Sequence, residues 1–149
     1  MATYSFMDVS ATLTGAAGVI DLGFGSASAK EGITISLANP RNSMTIGADG
    51  GGMHSLRCDK SGTVTVRLLQ TSSRNALLQA MYDAQAISSS AWGNNVLTIV
   101  NAGNNETTVC RGVAFQKQPD RTYAEDGGTV EWVFDCITID TVTGTYAEA

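Results

Sequence analysis

The chain has 149 residues, a length that fits one compact domain built around a single core. Charged residues make up only 15% of it, against about 25% in ordinary soluble domains, and the formal net charge is −5. The nine basic residues are spread from Lys30 to Arg121 without a cluster that could track phosphates, so sequence-specific nucleic-acid binding is not expected.

Alternating apolar and polar residues, separated by glycine, asparagine and aspartate, predict short β-strands along most of the chain. The candidate strands are Tyr4–Leu13, Val19–Leu22, Ile33–Leu37, Met44–Ile46, Thr63–Leu68, Val96–Val100, Thr107–Arg111, Val113–Gln116 and Thr129–Ile137. Many short strands with short connections are typical of a sandwich or barrel. We therefore expect a mainly β, sandwich- or barrel-like domain over residues 1–149.

Thr63–Leu68 divides cleanly into an apolar and a polar side, whereas Thr129–Ile137 has one apolar side and a mixed one and is expected to be half-buried on both. The apolar sides are expected to face the core, and they carry Val64, Val66, Leu68, Val130, Trp132, Phe134 and Cys136. The opposite sides carry Thr63, Thr65, Arg67, Thr129, Glu131 and Asp135, with Val133 and Ile137 among them. We take Val64, Val66, Trp132 and Phe134 as core anchors.

One segment, at about residues 73–87, is built from strong helix formers and is preceded by serines that can cap it. It is expected to be the single long helix and to flank the β-structure. Leu77, Met81 and Ala84 recur at helical spacing beside Leu78 and Tyr82, which predicts an apolar stripe packed on a sheet. Leu77 and Met81 are therefore further core anchors.

Two glycine-rich segments, Gly23–Gly32 and Gly47–His54, are predicted to be flexible loops. The second lacks the Gly-Lys-Ser/Thr ending of a phosphate-binding loop, so nucleotide binding is not expected. Glycine segments are tolerated where a loop becomes ordered against a neighbouring subunit. Candidate contacts between subunits are therefore Gly47, Asp49, Gly50, Gly51, Gly52, Met53 and His54.

Groups that could carry chemistry are few. His54 is the single histidine, and a pair with Cys58 or Ser55 would lie on a glycine-rich loop that does not fix its geometry. Glu125 and Asp126 lie in a predicted turn, and the acidic residues lack the spacing of a calcium loop. We therefore expect no catalytic, cofactor or metal site.

The cysteines and the apolar runs bear on the cellular compartment. Cys58, Cys110 and Cys136 are odd in number and far apart, so we expect reduced thiols, with Cys136 buried. No apolar run approaches the roughly 20 residues of a membrane-spanning helix, and the first residues lack the layout of a secretory signal. We expect a soluble protein made in a cytosol, without a membrane partner.

The low charge leaves two interpretations open. The chain is either an ordinary, weakly charged monomer or a subunit whose exterior is largely covered by copies of itself. Composition alone does not decide between them.

Several runs of the chain resemble a family of structural proteins of contractile-tailed bacteriophages, the tail tube (inner tube) proteins. Those runs are Tyr4–Val9, Met44–Gly50 with Met53–Ser55, Lys60–Val66 followed by Leu68–Leu69 and Thr71–Ser72, Asn75 with the helix, Phe115–Asp120 before Tyr123, and Val130–Asp135. The resemblance spans nearly the whole chain. No single run is a chemical signature, so its specificity comes from the number and order of the runs.

The resemblance implies a barrel-like β-sandwich with one flanking helix and a structural, non-enzymatic role. Six copies would close into a ring whose inner strands form a continuous barrel, and rings would stack into a tube for genome passage. Ring closure would remove free strand edges. The implied partners are further copies of the chain, the sheath, baseplate and tail terminator proteins, and DNA that passes without specific binding. The implied location is the virion tail, assembled in the host bacterial cytoplasm.

A channel wall of neutral and acidic groups would repel DNA and let it slide, whereas lysine and arginine would hold it. The polar sides of the two alternating strands are the candidates for this wall. Lumen candidates are Thr63, Thr65, Thr129, Glu131 and Asp135.

Two alternatives come from other classes of protein. A tube subunit of a bacterial contractile secretion or injection system would share this fold and composition. A β-sandwich carbohydrate-binding module would present a platform of exposed aromatic rings. Trp132 and Phe134 lie on an apolar strand side, and only Trp92 is predicted to be exposed, which disfavours the second alternative.

Overall fold

A computed structural model of the chain describes residues 2–16, 18–25 and 28–146, with the backbone alone for residues 28–31. Within these ranges the chain forms nine strands, one 3-10 turn and one α-helix. In chain order they are the turn Phe6–Asp8, β1 (Val9–Gly15), β2 (Gly18–Asp21), β3 (Ser28–Leu37), β4 (Asn42–Ile46), β5 (Gly52–Leu56), β6 (Gly62–Leu69), α1 (Arg74–Gln85), β7 (Asn95–Asn101), β8 (Glu106–Phe115) and β9 (Thr129–Val142).

Seven of the strands form one antiparallel sheet in the order β2-β1-β7-β8-β9-β6-β3, and β4 and β5 pair with each other in a separate two-stranded sheet. The mainly β fold with a single helix is therefore confirmed for the described residues. The free edges of the large sheet are β2 and β3.

The side that β8 presents to the core changes near Gly112. Cys110 and Val113 are both buried, although strict alternation would place residues three apart on opposite sides. Gly112 lies between them with φ of 63°, and a Cβ at this position would lie 2.9 Å from Ile137. The left-handed glycine lets β8 change the side it presents. One part of the sheet can thereby fold towards the other and enclose a core, as the sandwich-like expectation requires.

A single cluster of buried side chains forms that core. It draws residues from β1, β2, β6, β7, β8, β9 and α1. The largest fully buried side chains include Trp132, Phe115 and Phe134, and the Phe115 ring centroid lies 5.9 Å from that of Trp132 and 5.0 Å from that of Phe134. Four predicted core anchors, Val64, Val66, Trp132 and Phe134, are buried here.

The buried face of the helix overlaps the predicted stripe at Leu78, Met81 and Tyr82, but it is shifted away from Leu77 and Ala84 towards Gln85. Met81 is buried as expected, but Leu77 is 47% exposed, so its assignment as a core anchor is wrong. Leu78 and Gln85 take inward positions. The Gln85 amide exchanges two hydrogen bonds of 2.7 and 2.9 Å with the buried amide of Asn95, which satisfies a polar side chain inside the core.

Several predicted boundaries also differ from the structure. Residues 6–8 form a 3-10 turn in which Ser5 Oγ accepts a hydrogen bond from the Met7 amide, so the first strand begins at Val9. Thr107–Arg111 and Val113–Gln116 belong largely to one strand, β8. Of the predicted loop Gly23–Gly32, residues 28–32 lie in β3, and residues 26 and 27 lie outside the described ranges.

Cys110 and Cys136 are buried free thiols and Cys58 is an exposed one. A hydrogen bond with Cys110, together with burial, raises the pKa of the Cys136 thiol. Trp92 is half-buried rather than exposed, and its ring centroid lies 5.8 Å from that of Tyr82. Among the described residues, no helix is long and apolar enough to cross a membrane.

Candidate self-assembly surfaces

The predicted lumen residues share one face of the sheet. Neighbouring strands pair Thr63 with Asp135, Arg67 with Glu131, and Leu69 with Thr129. Because alternate residues of β6 and β9 point into the core, these side chains lie on the opposite side of the sheet. We call this surface the polar outer face, and it consists of Thr34, Ser36, Thr63, Thr65, Arg67, Thr129, Glu131, Val133 and Asp135. The exposed apolar residues Leu69 and Ile137 flank it on the same side of the sheet.

Arg67 puts a positive charge among these neutral and acidic groups. Its guanidinium lies 4.0 Å from the Glu131 carboxylate and donates a 2.9 Å hydrogen bond to Thr34 Oγ1. Gln116 donates a 3.3 Å hydrogen bond to Asp135. The alternation of β6 assigned Arg67 to this side, but the strand that carries Glu131 lies far away in sequence, so the pair was missed. The strands of this face carry two carboxylates and one guanidinium. The segment from Lys117 to Thr122 lies beside Thr129, Glu131 and Val133, and its Lys117 ammonium is 3.8 Å from the Asp120 carboxylate.

The predicted loop Gly47–His54 is partly wrong, because only residues 47–51 lie outside the strands, where they form a hairpin turn. Gly52, Met53 and His54 belong to β5, which pairs with β4 from Asn42↔Leu56 to Ile46↔Gly52. The hairpin formed by β4 and β5 pairs with no other strand of the described sheet. Apart from the half-buried Ser43, every residue from Asn42 to Leu56 is exposed.

A defined turn closes the hairpin. The Gly47 amide donates to the Gly51 carbonyl at 2.7 Å, and the Gly50 amide donates to the Gly47 carbonyl at 3.0 Å. Asp49 Oδ1 accepts a 3.0 Å hydrogen bond from the Gly51 amide, and Gly50 has φ of 89°. The glycines therefore serve a specific turn in which Gly50 adopts a backbone conformation unfavourable to other residues.

One side of the hairpin carries three large apolar side chains, together with the polar Asn42 and His54. Met44, Ile46 and Leu56 share it and are exposed by 61%, 56% and 79%, while Met53 lies on the other side and is 59% exposed. A two-stranded hairpin is only marginally stable on its own in water, and apolar groups gain from being covered. This surface is therefore poorly suited to an isolated chain.

Polar groups fasten the base of the hairpin to the body. Asp59 accepts hydrogen bonds from Asn39 at 2.9 Å and from the Ser61 hydroxyl and amide at 2.6 and 2.9 Å. The bonds from Ser61 and Asn39 lower the pKa of the Asp59 carboxyl from 3.8 to about 2. Arg41 Nε donates to the Arg57 carbonyl at 2.7 Å, across the two strands.

A groove lies at the other end of the β6–β9 ladder. One wall is α1 and the other is the segment Asp120–Tyr123, with Gln70 and Thr129 at the end of the strands. It encloses about 580 Å³. Arg121 donates a 2.7 Å hydrogen bond to Gln79, which links the two walls. We call it the α1–loop groove, and no sequence signal indicated it because its walls lie about 40 residues apart.

The outward face of the helix exposes several apolar residues. Leu77 is 47% exposed and Ile87, just beyond the helix, is 85% exposed, with the exposed Ala80 and Ala84 between them. Trp132 Nε1 donates to Asn75 Oδ1, which places α1 on the core side of β9. The helix surface therefore points away from the polar outer face.

The residues considered for chemistry are not brought together. Nδ1 of His54 lies 3.2 Å from the side-chain amide nitrogen, Nδ2, of Asn42. Ser55 is the next residue of β5, so its side chain lies on the other side of the hairpin. Asp59 is occupied by Ser61 and Asn39. Among the described residues, no group of three or more histidine, cysteine, aspartate or glutamate side chains is placed to hold a metal ion.

Comparison with solved structures finds the same fold in contractile injection systems. A chain of an extracellular contractile injection system, the PVC sheath-tube complex in its extended state, aligns with a TM-score of 0.61 and 11% identity over 95% of this chain and 92% of that one. A chain of the PVC sheath/tube terminator aligns with 0.61 and 13% identity over 95% and 98%. A chain of the anti-feeding prophage tube terminating cap aligns with 0.60 and 12% identity over 97% and 93%.

These identities are low, so the likeness to the three structures shows the fold alone. Comparison with curated protein sequences gives no significant match. The sequence profile of a family described as bacteriophage PhiTE tail tube protein matches residues 1–144. That match covers nearly the whole chain, and this protein therefore belongs to the PhiTE tail tube protein family.

Proposed function

We propose that this chain is the structural subunit of a phage tail tube and has no enzymatic activity. Six copies form a ring, and rings stack into a channel through which DNA passes during ejection. The subunit is assembled in the host bacterial cytoplasm and ends in the virion tail. Family membership supports the tube role, while the ring number and the passage of DNA are proposals.

The exposed hairpin is the observation that most strongly supports self-association. It projects three large apolar side chains from one side and has no strand partner in the described body. Such a surface is costly to leave in water, and it is appropriate in a subunit that is covered by its neighbours. We assign the hairpin, including Gly47–His54, to the contact between stacked rings, since it extends beyond the end of the β3–β6 ladder.

We assign the polar outer face to the lumen. Its threonines and serines are neutral, and its two carboxylates outnumber its one guanidinium. Phosphates sliding past such a wall meet little unpaired positive charge, because Arg67 lies beside Glu131 and the neighbouring Lys117 lies beside Asp120. The lumen wall would thus include Thr63, Thr65, Thr129, Glu131 and Asp135.

The helix surface with Leu77 and Ile87 then lies on the outside of the tube, because α1 lies across the core from the polar outer face. Exposed apolar side chains on this exterior fit a surface that a sheath protein covers. The similar chains come from a sheath-tube complex, a sheath/tube terminator, a tube terminating cap and a baseplate, which supports sheath, terminator and baseplate as partners.

A tube subunit of a bacterial contractile injection system is the second candidate. The three similar structures belong to such systems, and their fold matches over nearly the whole chain. The family match favours the phage tail. Genome context and the cargo inside purified tubes distinguish the two.

A concentration series tests the proposal. Light scattering of the purified protein should show hexamers or longer tubes as the concentration rises. A monodisperse monomer at every concentration, with no tubes in the cell lysate, would refute the tube role.

A further inference from the structure

We infer that the α1–loop groove is the seat for the hairpin of a subunit in the next ring. This inference rests on the proposed stacking of rings, and it names the surface that receives the hairpin. The groove and the hairpin are surfaces of the same chain, so the occupant is a second copy.

The ladder between β6 and β9 puts the two surfaces at opposite ends of the subunit. Its pairs run from Gly62↔Cys136, beside the base of the hairpin, to Leu69↔Thr129, beside the groove. The eight residues of β6 extend about 24 Å at strand spacing. The hairpin therefore leaves one end of the body and the groove opens at the other.

Identical subunits that stack head to tail need two different surfaces that fit each other. In a polar stack, the hairpin end of one subunit meets the groove end of the next. No fold-back within one chain can make this contact, because the two surfaces lie at opposite ends of the rigid ladder. The geometry thus favours a neighbouring copy as the occupant.

The groove has room for part of a hairpin, and its mixed lining of small, aromatic and polar groups can meet a hairpin side that carries both apolar and polar residues. The groove volume of about 580 Å³ lies in the range of sites that enclose a drug-sized molecule, about 300–1,000 Å³, so it has room for a few side chains. Its lining includes Ala76 and Ala80 of α1, and Tyr123 on the facing wall is 81% exposed. These groups can cover the exposed Met44, Ile46 and Leu56 of a hairpin.

The net charges have opposite sign. Residues 41–57 carry two arginines against one aspartate. Residues 117–128 carry one lysine and one arginine against two aspartates and one glutamate. Asp83 adds an exposed carboxylate on the helix wall of the groove. Asp49 lies in the turn of the hairpin and the two arginines lie at its base. A register that brings the arginines near these acids is therefore favoured over one that brings Asp49 near them, and salt should weaken this preference.

Hydrogen exchange on the wild-type protein tests the inference without a substitution. Amides of Asp120–Tyr123 and of the hairpin strands should both exchange about tenfold more slowly in tubes than in dilute, unassembled protein. Protection of the hairpin alone would overturn the groove as its seat and leave the proposed stacking intact. Protection of neither segment in tubes would refute both, and protection of Asp120–Tyr123 only after sheath is added would assign the groove to the sheath.

Cross-linking gives a second, independent measurement. In a Cys58→Ser background, Met44→Cys combined with Thr122→Cys should give a ladder of covalent multimers when assembled tubes are treated with a short bismaleimide. The matched control joins Met44→Cys to Thr12→Cys, on the outer face of β1, and should give no ladder. The inference would be contradicted if assembled tubes of Met44→Cys/Thr122→Cys gave no covalent multimers. It would also be contradicted if the control, Met44→Cys/Thr12→Cys, gave an equally strong ladder.

Discussion

Trp132 Nε1 donates a 3.1 Å hydrogen bond to Asn75 Oδ1, and Asn75 Nδ2 in turn donates to the Leu69 carbonyl at 3.0 Å. This relay joins the middle of β9, the first turn of α1 and the end of β6. Trp132 is only 1% exposed, so its indole fills the core while its single polar atom is satisfied.

Replacement of this indole should be severe. Trp132→Ala removes the side chain from a packed aromatic cluster and should cost about 3–5 kcal/mol of unfolding free energy. That is enough to abolish soluble protein in a domain of ordinary stability. Trp132→Phe keeps most of the volume and loses the hydrogen bond, so it should cost less. Thermal melting and soluble yield measure both, and a normal yield of Trp132→Ala would contradict the burial.

Glu131 provides a test of the lumen. Glu131→Lys would place a second cation beside Arg67 in each subunit, repeated six times in every proposed ring. Attraction to phosphates is screened beyond about 8 Å at physiological salt but would recur along the tube and slow DNA movement. We expect normal tail assembly with slower genome ejection, most marked at low salt.

The control for Glu131→Lys is Thr12→Lys, which adds a lysine on the outer face of β1, away from the polar outer face. Ejection rates should separate the two variants. Equal ejection rates in Glu131→Lys and wild-type particles at low salt would mean that Glu131 does not face the channel or that wall charge does not matter.

The turn glycines should affect stacking more than folding. At Gly50, φ is 89°, and a Cβ at Gly51 would lie 3.2 Å from Asp49 Oδ1, so Gly50→Val with Gly51→Val should deform the turn. Because the hairpin pairs only with itself, the melting temperature of the unassembled subunit should hardly change. Microscopy should show fewer or shorter tubes.

Gly93 offers a matched comparison, since its φ is 80° and a Cβ there meets nothing within 4 Å. Gly93→Val introduces similar backbone strain, of about 1–3 kcal/mol, between α1 and β7. It should lower the melting temperature and leave stacking intact. Unfolding of the Gly50/Gly51 double variant would show that the hairpin belongs to the folding unit.

The hydrogen bonds to Asp59 should make the stability of the fold depend on pH in the acid range. Its pKa is lowered to about 2 in the folded chain, so its hydrogen bonds stabilise the fold above its ordinary pKa of 3.8 and are lost as the pH falls towards 2. Ser61→Ala removes the largest cause, and the midpoint of the Asp59 carboxyl in an NMR titration should rise towards 3.8. An unchanged midpoint would show that Ser61 does not hold this carboxylate.

Local patterns in the sequence predicted much of the sheet. The strict alternation of Thr63–Leu68 placed both sides of β6 correctly, and the β9 side with Trp132 and Phe134 followed from the same period. Leu77 was misplaced because the helix buries Gln85, a residue that only its distant partner Asn95 makes acceptable in a core. Hydropathy along the chain contains no information about that partner.

The surfaces were harder to predict than the core. Glycines at Gly50–Gly52 lower strand propensity, so β5 was taken for a loop, although Asp49 and the pairing with β4 fix its geometry. Gly112, with its left-handed backbone, interrupts the alternation within β8. The local pattern on either side of it therefore predicted two strands, although the structure has one. The groove depends on contacts between Gln79 and Arg121, which only the fold brings together.

The central claim is that copies of this chain build a stacked tube, and cryo-electron microscopy of the purified wild-type protein tests it most directly. The account predicts rings of six subunits, with the polar outer face towards the channel and the β4–β5 hairpin between successive rings. Tubes whose channel is lined by another face would contradict the lumen assignment. A protein that remains monomeric at every concentration would contradict the central claim itself.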